Sequence, residues 1–144
     1  MLVQQILKAK GDGGVVTIKP GTRVSDAAQI LAERRIGGLV VSQDGERVDG
    51  IISERDIVRS LAVRGATCLT ETIDEMMTRN PVCCSRQDKS DAVLSRMTDG
   101  RFRHMPVVDD GKLVGIVTIG DVVKARLEEL SMEKDALEGM IMGY

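Results

Sequence analysis

The sequence predicts an α+β fold in which two β-α-β-β-α repeats pack against each other with pseudo-two-fold symmetry. The first observation is a duplicated stretch, because residues 50–57 return 65 positions later as residues 115–122. Each copy reads glycine, two β-branched residues, a hydroxyl, two variable positions, an aspartate and an apolar residue. This order indicates a buried strand that runs directly into a helix. The second observation is that the elements from Ile36 to the first hairpin turn recur 66 positions later, so the whole repeat is duplicated.

The first repeat follows an N-terminal segment. Residues 1–10 have apolar side chains at helical spacing and precede the breaker sequence at 11–14, which predicts a short docking helix. The repeat itself then has a strand at 15–18, a helix at 24–35, a hairpin of strands 39–41 and 48–52 around a turn at 43–46, and a second helix beginning near residue 57.

The second repeat has the same order of elements. Its predicted elements are a strand at 81–84, a helix at 91–100, a hairpin of strands 105–108 and 113–117, and a last helix from residue 122. The predicted boundaries are 1–14 for the N-terminal helix and linker, 15–64 for repeat one, 65–77 for the connector, 78–126 for repeat two and 127–144 for a C-terminal helical extension. The extension has an apolar stripe that exceeds what the repeat needs, which predicts a homodimer.

Composition excludes several classes of function. The chain has 144 residues and a net charge of −2, so no overall basic field favours nucleic acid or an anionic membrane. No apolar run is long enough to span a bilayer and the start lacks a signal-peptide pattern, so we expect a cytoplasmic protein with no membrane insertion. The three cysteines fit a reducing compartment.

No set of nucleophile, base and orienting group is present, and the chain has one histidine, His104. We therefore expect neither an enzyme nor a metal site. A redox role for Cys83 or Cys84 stays open, although small buried hydrophobic residues are the more frequent account of such cysteines.

The duplicated hydroxyl and aspartate allow two interpretations. Ser53 with Asp56, and Thr118 with Asp121, have the spacing of an ordinary capping box, in which the hydroxyl and the carboxylate satisfy backbone N–H groups of the first helical turn. The same place, where a strand runs into a helix N-terminus, also favours the binding of anions.

The duplicated motif resembles the end of the repeat in the CBS-domain family, named after cystathionine β-synthase, and residues 73–78 resemble the opening of such a repeat. The resemblance covers nearly the whole chain and implies a stand-alone CBS pair of bacterial type. In related pairs the cleft between the repeats takes adenosine nucleotides and the motif aspartate accepts the ribose hydroxyls. The resemblance thus implicates Asp56 with Ser53 in one cleft and Asp121 with Thr118 in the other, with Thr78 as a further contact.

The remaining ligand contacts are inferred from the residues themselves. Aromatic residues make up only 1% of the chain, so adenine should lie between aliphatic side chains and strand backbone. The strand positions expected to hold it are Thr17, Ile18, Val82 and Cys83. The residues expected around the phosphate are Arg103 and His104 in repeat two, and Gly37, Gly38 and Arg55 in repeat one. Met105 and Pro106, which follow His104, are expected to belong to the same nucleotide site. Because arginine offers a charged, planar pair of donors to phosphate and glycine offers only its backbone N–H, we expect the cleft with Thr118 and Asp121 to prefer phosphorylated adenosine.

The predicted function is a regulatory sensor that binds AMP, ADP, ATP or a dinucleotide such as NAD, and that passes its occupancy to a partner protein in trans. Signal transduction and energy sensing are the roles that this implies. The adenine nucleotide would be a ligand and not a catalytic cofactor. The alternative is a dimeric interaction or scaffold module that works without nucleotide.

Overall fold

The computed structural model describes residues 1–11 and 14–143. The predicted helix break at 11–14 falls partly on residues 12 and 13, outside the described residues. The N-terminal helix α1 is Val3–Lys10. The mixed helix and sheet content confirms the predicted α+β class.

Repeat one forms a four-stranded sheet in the order β1-β2-β3-β4. Strand β1 runs parallel to β2, whereas β2 with β3 and β3 with β4 are antiparallel. The elements of this sheet and its helices are β1 (Thr17–Ile18), α2 (Val24–Arg34), β2 (Gly38–Val41), β3 (Gly50–Ser53), α3 (Glu54–Arg64) and β4 (Thr78–Arg79).

Repeat two contains α4 (Ser90–Gly100), the antiparallel pair β5 (His104–Asp109) and β6 (Lys112–Thr118), and the long helix α5 (Ile119–Met142). The strand predicted at 81–84 is reduced to one parallel bridge between Cys84 and Val107. The reason lies just upstream, where Asn80 has a left-handed backbone with φ of 48° and Pro81 has no N–H to donate to a ladder. Residues 78 and 79, predicted to open repeat two, instead complete the sheet of repeat one.

Each repeat has its own hydrophobic core. In repeat one, residues of α2, β2 and β3 pack together, and Ile73 and Met77 of the connector close this core. In repeat two, Val3 and Ile6 of α1 close the equivalent core. The N-terminal helix is therefore part of repeat two, although it lies at the far end of the chain from it.

Gly38 of repeat one and His104 of repeat two hold equivalent positions, 66 residues apart, and lie against each other where the two repeats meet. A Cβ placed on Gly38 would lie 2.8 Å from His104 Cδ2, closer than real Cβ contacts come. The absence of a side chain on one repeat thus makes room for the imidazole of the other. No helix in the described part of the chain combines the length and apolar character needed to cross a membrane.

Candidate functional site

A cavity of about 300 Å³, called here the first cleft, lies between the two repeats. Repeat one contributes the end of β3 and the start of α3, and repeat two contributes the segment from the end of α4 to the start of β5. The chain that joins the repeats forms the rest of the wall. The lining residues are Ile51, Ser53, Arg55, Asp56, Arg59, Thr78, Asn80, Pro81, Val82, Gly100, Arg101, Phe102, Arg103 and His104.

Ser53 and Asp56 form the capping box at the start of α3 that their spacing predicts. The Ser53 N–H and hydroxyl both donate to Asp56 Oδ2, at 2.8 and 3.1 Å, and the Asp56 N–H donates to Ser53 Oγ at 3.4 Å. These bonds leave Oδ1 of the carboxylate without a hydrogen bond to any described residue. The cap therefore fixes the carboxylate at the cleft and keeps one of its oxygens available as an acceptor.

Four cavity-lining side chains are arginines, two from α3 and two from the segment that follows α4, namely Arg55, Arg59, Arg101 and Arg103. All four are exposed, and none of them forms an ion pair with a carboxylate in the described residues. Only one carboxylate, that of Asp56, lines the same cavity. The first cleft therefore has a local positive charge on a chain whose net charge is slightly negative.

His104 is half-buried at the inner end of the first cleft. Burial lowers the pKa of this imidazole below its ordinary value; the carboxylate of Glu54 opposes the shift, and the charges of Lys10 and Arg103 reinforce it. The lowered pKa favours the neutral form of the side chain at pH 7. This form can donate one hydrogen bond and accept another, but it adds no charge.

The equivalent position beside the motif of repeat two is called here the second cleft. A cavity of about 160 Å³ next to Asp121 is a groove between α1 and α5, and no residue of repeat one lines it. Thr118 and Asp121 form the same capping box at the start of α5, with the Thr118 N–H donating to Asp121 Oδ2 at 2.9 Å. Here the carboxylate has an additional partner, because Lys10 Nζ donates to Asp121 Oδ2 at 2.7 Å and its ammonium charge neutralises the carboxylate. Burial alone would raise the pKa of Asp121, but the bonds from Lys10 and Thr118 outweigh it and lower the pKa.

The structure brings part of the predicted site together. Seven of the sixteen predicted residues line the first cleft, namely Ser53, Arg55, Asp56, Thr78, Val82, Arg103 and His104. Ile18 and Met105 lie in the two cores. Thr17, Cys83 and Pro106 belong to the strand region outside the cavity. Gly37 and Gly38 pack against His104.

The prediction that Arg103 and His104 belong to the cleft of Thr118 and Asp121 is wrong. Arg103 and His104 line the same cavity as Asp56. The reason is the pseudo-symmetry itself, since each cleft combines the helix start of one repeat with the helix-to-strand segment of the other. The sequence pattern alone predicts that both parts of a cleft come from the same repeat.

Sequence reasoning also missed half of the lining residues. Arg59 could have been found, because it lies one helical turn after Asp56 on α3. Arg101 and Phe102 immediately precede the predicted Arg103. Asn80 and Pro81 carry no local signal, because they reach the cavity only through the path of the connecting chain.

The cysteines do not form a redox centre of recognisable kind. All three are free thiols. Burial, with a contribution from the carboxylate of Asp88, raises the pKa of Cys84 to about 12, and burial also raises the pKa of Cys83. Neither is activated as a thiolate at neutral pH. No cluster of metal-ligating side chains occurs within residues 1–11 and 14–143.

The fold and the site define a class of protein, a pair of pseudo-symmetric α+β repeats with a cavity between them. The chain belongs to the CBS-domain family, because the sequence model of the CBS domain matches residues 13–63 and 73–128. This confirms the resemblance that the duplicated motif indicates.

Solved CBS structures have the same fold. The CBS-domain-containing protein ATU1752 from Agrobacterium tumefaciens is 43% identical, with a TM-score of 0.83 over 88% of this chain and 99% of that chain. The CBS domain pair of protein MJ0100, in complex with 5′-methylthioadenosine and S-adenosyl-L-methionine, is 30% identical, with a TM-score of 0.77 over 90% of this chain and 98% of that one. The CBS domain protein PAE2072 from Pyrobaculum aerophilum, complexed with AMP, is 26% identical, with a TM-score of 0.77 over 92% of this chain and 99% of that protein.

Curated relatives include CBS-domain proteins of different lengths. The mitochondrial CBS-domain-containing protein CBSX3 of Arabidopsis thaliana is 32% identical over 98% of this chain and 72% of its own length. Another protein of that plant, CBSCBSPB2, is 30% identical over 86% of this chain, which matches only 23% of it. The repeat pair thus occurs both in short proteins and within much longer ones.

Proposed function

We propose that this chain is a regulatory module that binds a phosphorylated adenine nucleotide in the first cleft and passes its occupancy to another protein. The observation that carries the proposal is the convergence of the Asp56 carboxylate and four unpaired arginines on one cavity between the repeats. A volume of about 300 Å³ lies at the lower end of the range found for small-molecule sites.

The ribose end of the ligand is assigned to Asp56. Its Oδ2 is held by Ser53, so the orientation of the carboxylate is fixed before the ligand arrives. The second oxygen, Oδ1, can accept hydrogen bonds from the cis-diol of a ribose. A 2′-deoxyribose would satisfy this acceptor only in part, so the site should prefer ribonucleotides.

The phosphate end is assigned to the arginines. Arg101 and Arg103 approach from repeat two and Arg55 and Arg59 from α3, so an anion in the cavity meets guanidinium groups from both repeats. Each guanidinium can offer two parallel N–H groups to phosphate oxygens. The nearby positive end of α3 adds to the same preference.

The ligands of structural relatives support an adenosine compound. PAE2072 is complexed with AMP, and the MJ0100 pair with 5′-methylthioadenosine and S-adenosyl-L-methionine. The first cleft of this chain favours the phosphorylated member of this set. Four arginines attract a phosphate, whereas they would repel the sulfonium of S-adenosyl-L-methionine.

A thermal-shift series tests the proposal. At about one hundred times the dissociation constant, a ligand adds about 2.7 kcal/mol to stability, which corresponds to roughly 5–10 °C for a chain of this size. AMP, ADP, ATP and NAD should be compared with adenosine, 2′-deoxy-AMP, 5′-methylthioadenosine and GMP. We expect a shift with at least one phosphorylated adenine ribonucleotide and a smaller one with adenosine and 2′-deoxy-AMP. The absence of any shift at millimolar concentration would favour the nucleotide-independent scaffold.

We also propose that the module is a homodimer. Exposed apolar side chains lie on α3 and along α5, and the equivalent residues Val58 and Val123 are 63% and 40% exposed. Leu127 and Leu130 continue the stripe on α5, where they are 63% and 49% exposed. A second copy could cover this surface, and a hexameric CBS-CP12 protein from cyanobacteria is an assembled relative at 27% identity.

A further inference from the structure

The N-terminal helix takes the place in repeat two that the connector between the repeats takes in repeat one. Both segments are held by the same pair of backbone hydrogen bonds to the start of the first helix of the repeat. Each bonding residue of the N-terminal segment lies 70 positions before its equivalent in the connector. Each of their partners in repeat one lies 66 positions before its equivalent in repeat two. The bonds are Ile73 N to Thr22 O and Val24 N to Glu71 O in repeat one, each 2.9 Å, and Val3 N to Asp88 O at 2.9 Å and Ser90 N to Met1 O at 2.8 Å in repeat two.

The same register continues along both segments. Met77 of the connector packs against Gly50, with Sδ 2.8 Å from the position of a Cβ on that glycine. Leu7, which is 70 positions earlier, packs against the equivalent Gly115, with Cδ2 at 2.7 Å from the corresponding position. One further turn along this register, Lys10 is equivalent to Asn80, which lines the first cleft.

The two segments then differ in what they place beside the motif aspartate. In repeat one, Thr78 pairs with Ile51 as part of β4, and the chain turns away at Asn80. In repeat two, α1 continues as a helix and Lys10 Nζ reaches the same edge, where it donates to Ile116 O at 2.9 Å and to Asp121 Oδ2 at 2.7 Å. The ammonium group satisfies a strand-edge carbonyl and neutralises the carboxylate that is equivalent to Asp56.

The remaining second cleft is poorly suited to a nucleotide. Gly120 stands where the first cleft has Arg55, and Gly37 stands at the position equivalent to Arg103, so two phosphate-binding cations are missing. A ribose diol would meet a carboxylate whose charge is already neutralised by the ammonium of Lys10, so it would be a weaker acceptor than Asp56.

We propose that Lys10 determines which of the two clefts takes nucleotide, because its ammonium group pairs with the motif aspartate of the second cleft from within the chain. This inference rests on the proposed function. The expected stoichiometry is one nucleotide per chain, bound in the first cleft. The second cleft takes nucleotide only when α1 moves or Lys10 is replaced.

The test is calorimetric titration of the full chain with AMP, comparing the unmodified protein with Lys10→Ala and with Lys8→Ala as a matched control. Lys8 lies on the same helix and carries the same charge, but it does not contact Asp121. We expect one AMP per chain for the unmodified protein and for Lys8→Ala, and two for Lys10→Ala. Adding Asp121→Asn to Lys10→Ala should return the count to one. Lys10→Gln, which keeps a long side chain, is the second variant if Lys10→Ala lowers the melting temperature.

The outcomes separate the two proposals. A count of one in both Lys10→Ala and Lys10→Gln would overturn the role of Lys10. A count of two in the unmodified protein that falls to one in Lys10→Ala would make Lys10 a ligand contact, and would also overturn it. A third outcome is that the unmodified protein binds no AMP, Lys10→Ala binds one AMP, and the double variant with Asp121→Asn binds none. The role of Lys10 would then stand, and the assignment of the first cleft would fail. If none of the proteins binds AMP, both proposals fail.

Discussion

Replacing Arg101 by glycine should stabilise the free protein and weaken nucleotide binding at the same time. Arg101 ends α4 in a left-handed conformation, with φ of 55° and ψ of 43°. The next residue closes the helix end, since the Phe102 N–H donates to Met97 O at 3.1 Å. Glycine is the residue most often found at such a helix end, because it has no Cβ to clash. An arginine at this position is therefore kept at some cost in stability.

The size of the effect follows from two opposing contributions. The left-handed conformation costs a residue with a side chain about 1–2 kcal/mol, and the greater freedom of glycine in the unfolded chain offsets about 0.5–1 kcal/mol of the gain. The net stabilisation of Arg101→Gly should thus be about 0.5–1 kcal/mol, or roughly 2–4 °C in melting temperature. Loss of one charge-assisted contact to phosphate, taken at about 1.5 kcal/mol because the arginine is exposed, corresponds to about a tenfold weaker affinity.

Arg35 provides a matched control. It ends α2 at the equivalent position, with φ of 55° and ψ of 46°, and the Ile36 N–H donates to Leu31 O at 3.1 Å. It does not line the first cleft. Melting curves and AMP titrations of Arg35→Gly and Arg101→Gly should show similar stabilisation in both and weaker binding only in Arg101→Gly. Equal AMP affinity in the two variants would refute the role of Arg101, and destabilisation of both would refute the argument from backbone strain.

Three further predictions concern the fold and the assembly. The pKa of His104 in the folded protein should lie below 6.5, so the unfolded chain binds a proton at a higher pH than the folded protein does. The free energy of unfolding should therefore fall as the pH is lowered from 7.5 to 5.5. An NMR titration of this single histidine that gives a pKa above 6.5 would contradict this. Gly38→Ala should lower the free energy of unfolding by about 1–3 kcal/mol, because the new methyl group would clash with His104, and by much less in a His104→Ala background. Equal losses in the two backgrounds, measured by denaturant unfolding, would show that the two residues do not compete for space. Sedimentation should show a dimer at tens of micromolar that Leu127→Lys weakens, whereas a monomeric unmodified protein would exclude the proposed surface.

The repeat architecture could be predicted because its signals are local. The glycine, β-branched residues, hydroxyl and aspartate of each motif specify a strand, a capping box and a helix within eight positions. Both capping boxes form as predicted, at Ser53 and at Thr118. The constant offset between the two copies then predicts that the repeats pack as a symmetric pair.

The composition of each cleft could not be predicted in the same way. Arg103 and Asp56 meet only because the repeats face each other, and no periodicity within either repeat encodes that contact. The bond between Lys10 and Asp121 joins residues that are 111 positions apart. Nothing in the first ten residues beyond their helical spacing indicates where that helix docks.

The measurement that tests the central claim most directly is calorimetric titration with AMP of Asp56→Asn and Asp121→Asn, beside the unmodified protein. Both substitutions change the aspartate of an equivalent capping box, which costs about 1 kcal/mol, and Asp121→Asn also removes the contact with Lys10, so its cost in stability should be the larger. The account predicts that Asp56→Asn lowers AMP affinity at least about tenfold, whereas Asp121→Asn leaves it unchanged. Unchanged affinity in Asp56→Asn, or a loss in both variants that follows their melting temperatures, would contradict the assignment of the first cleft as the nucleotide site.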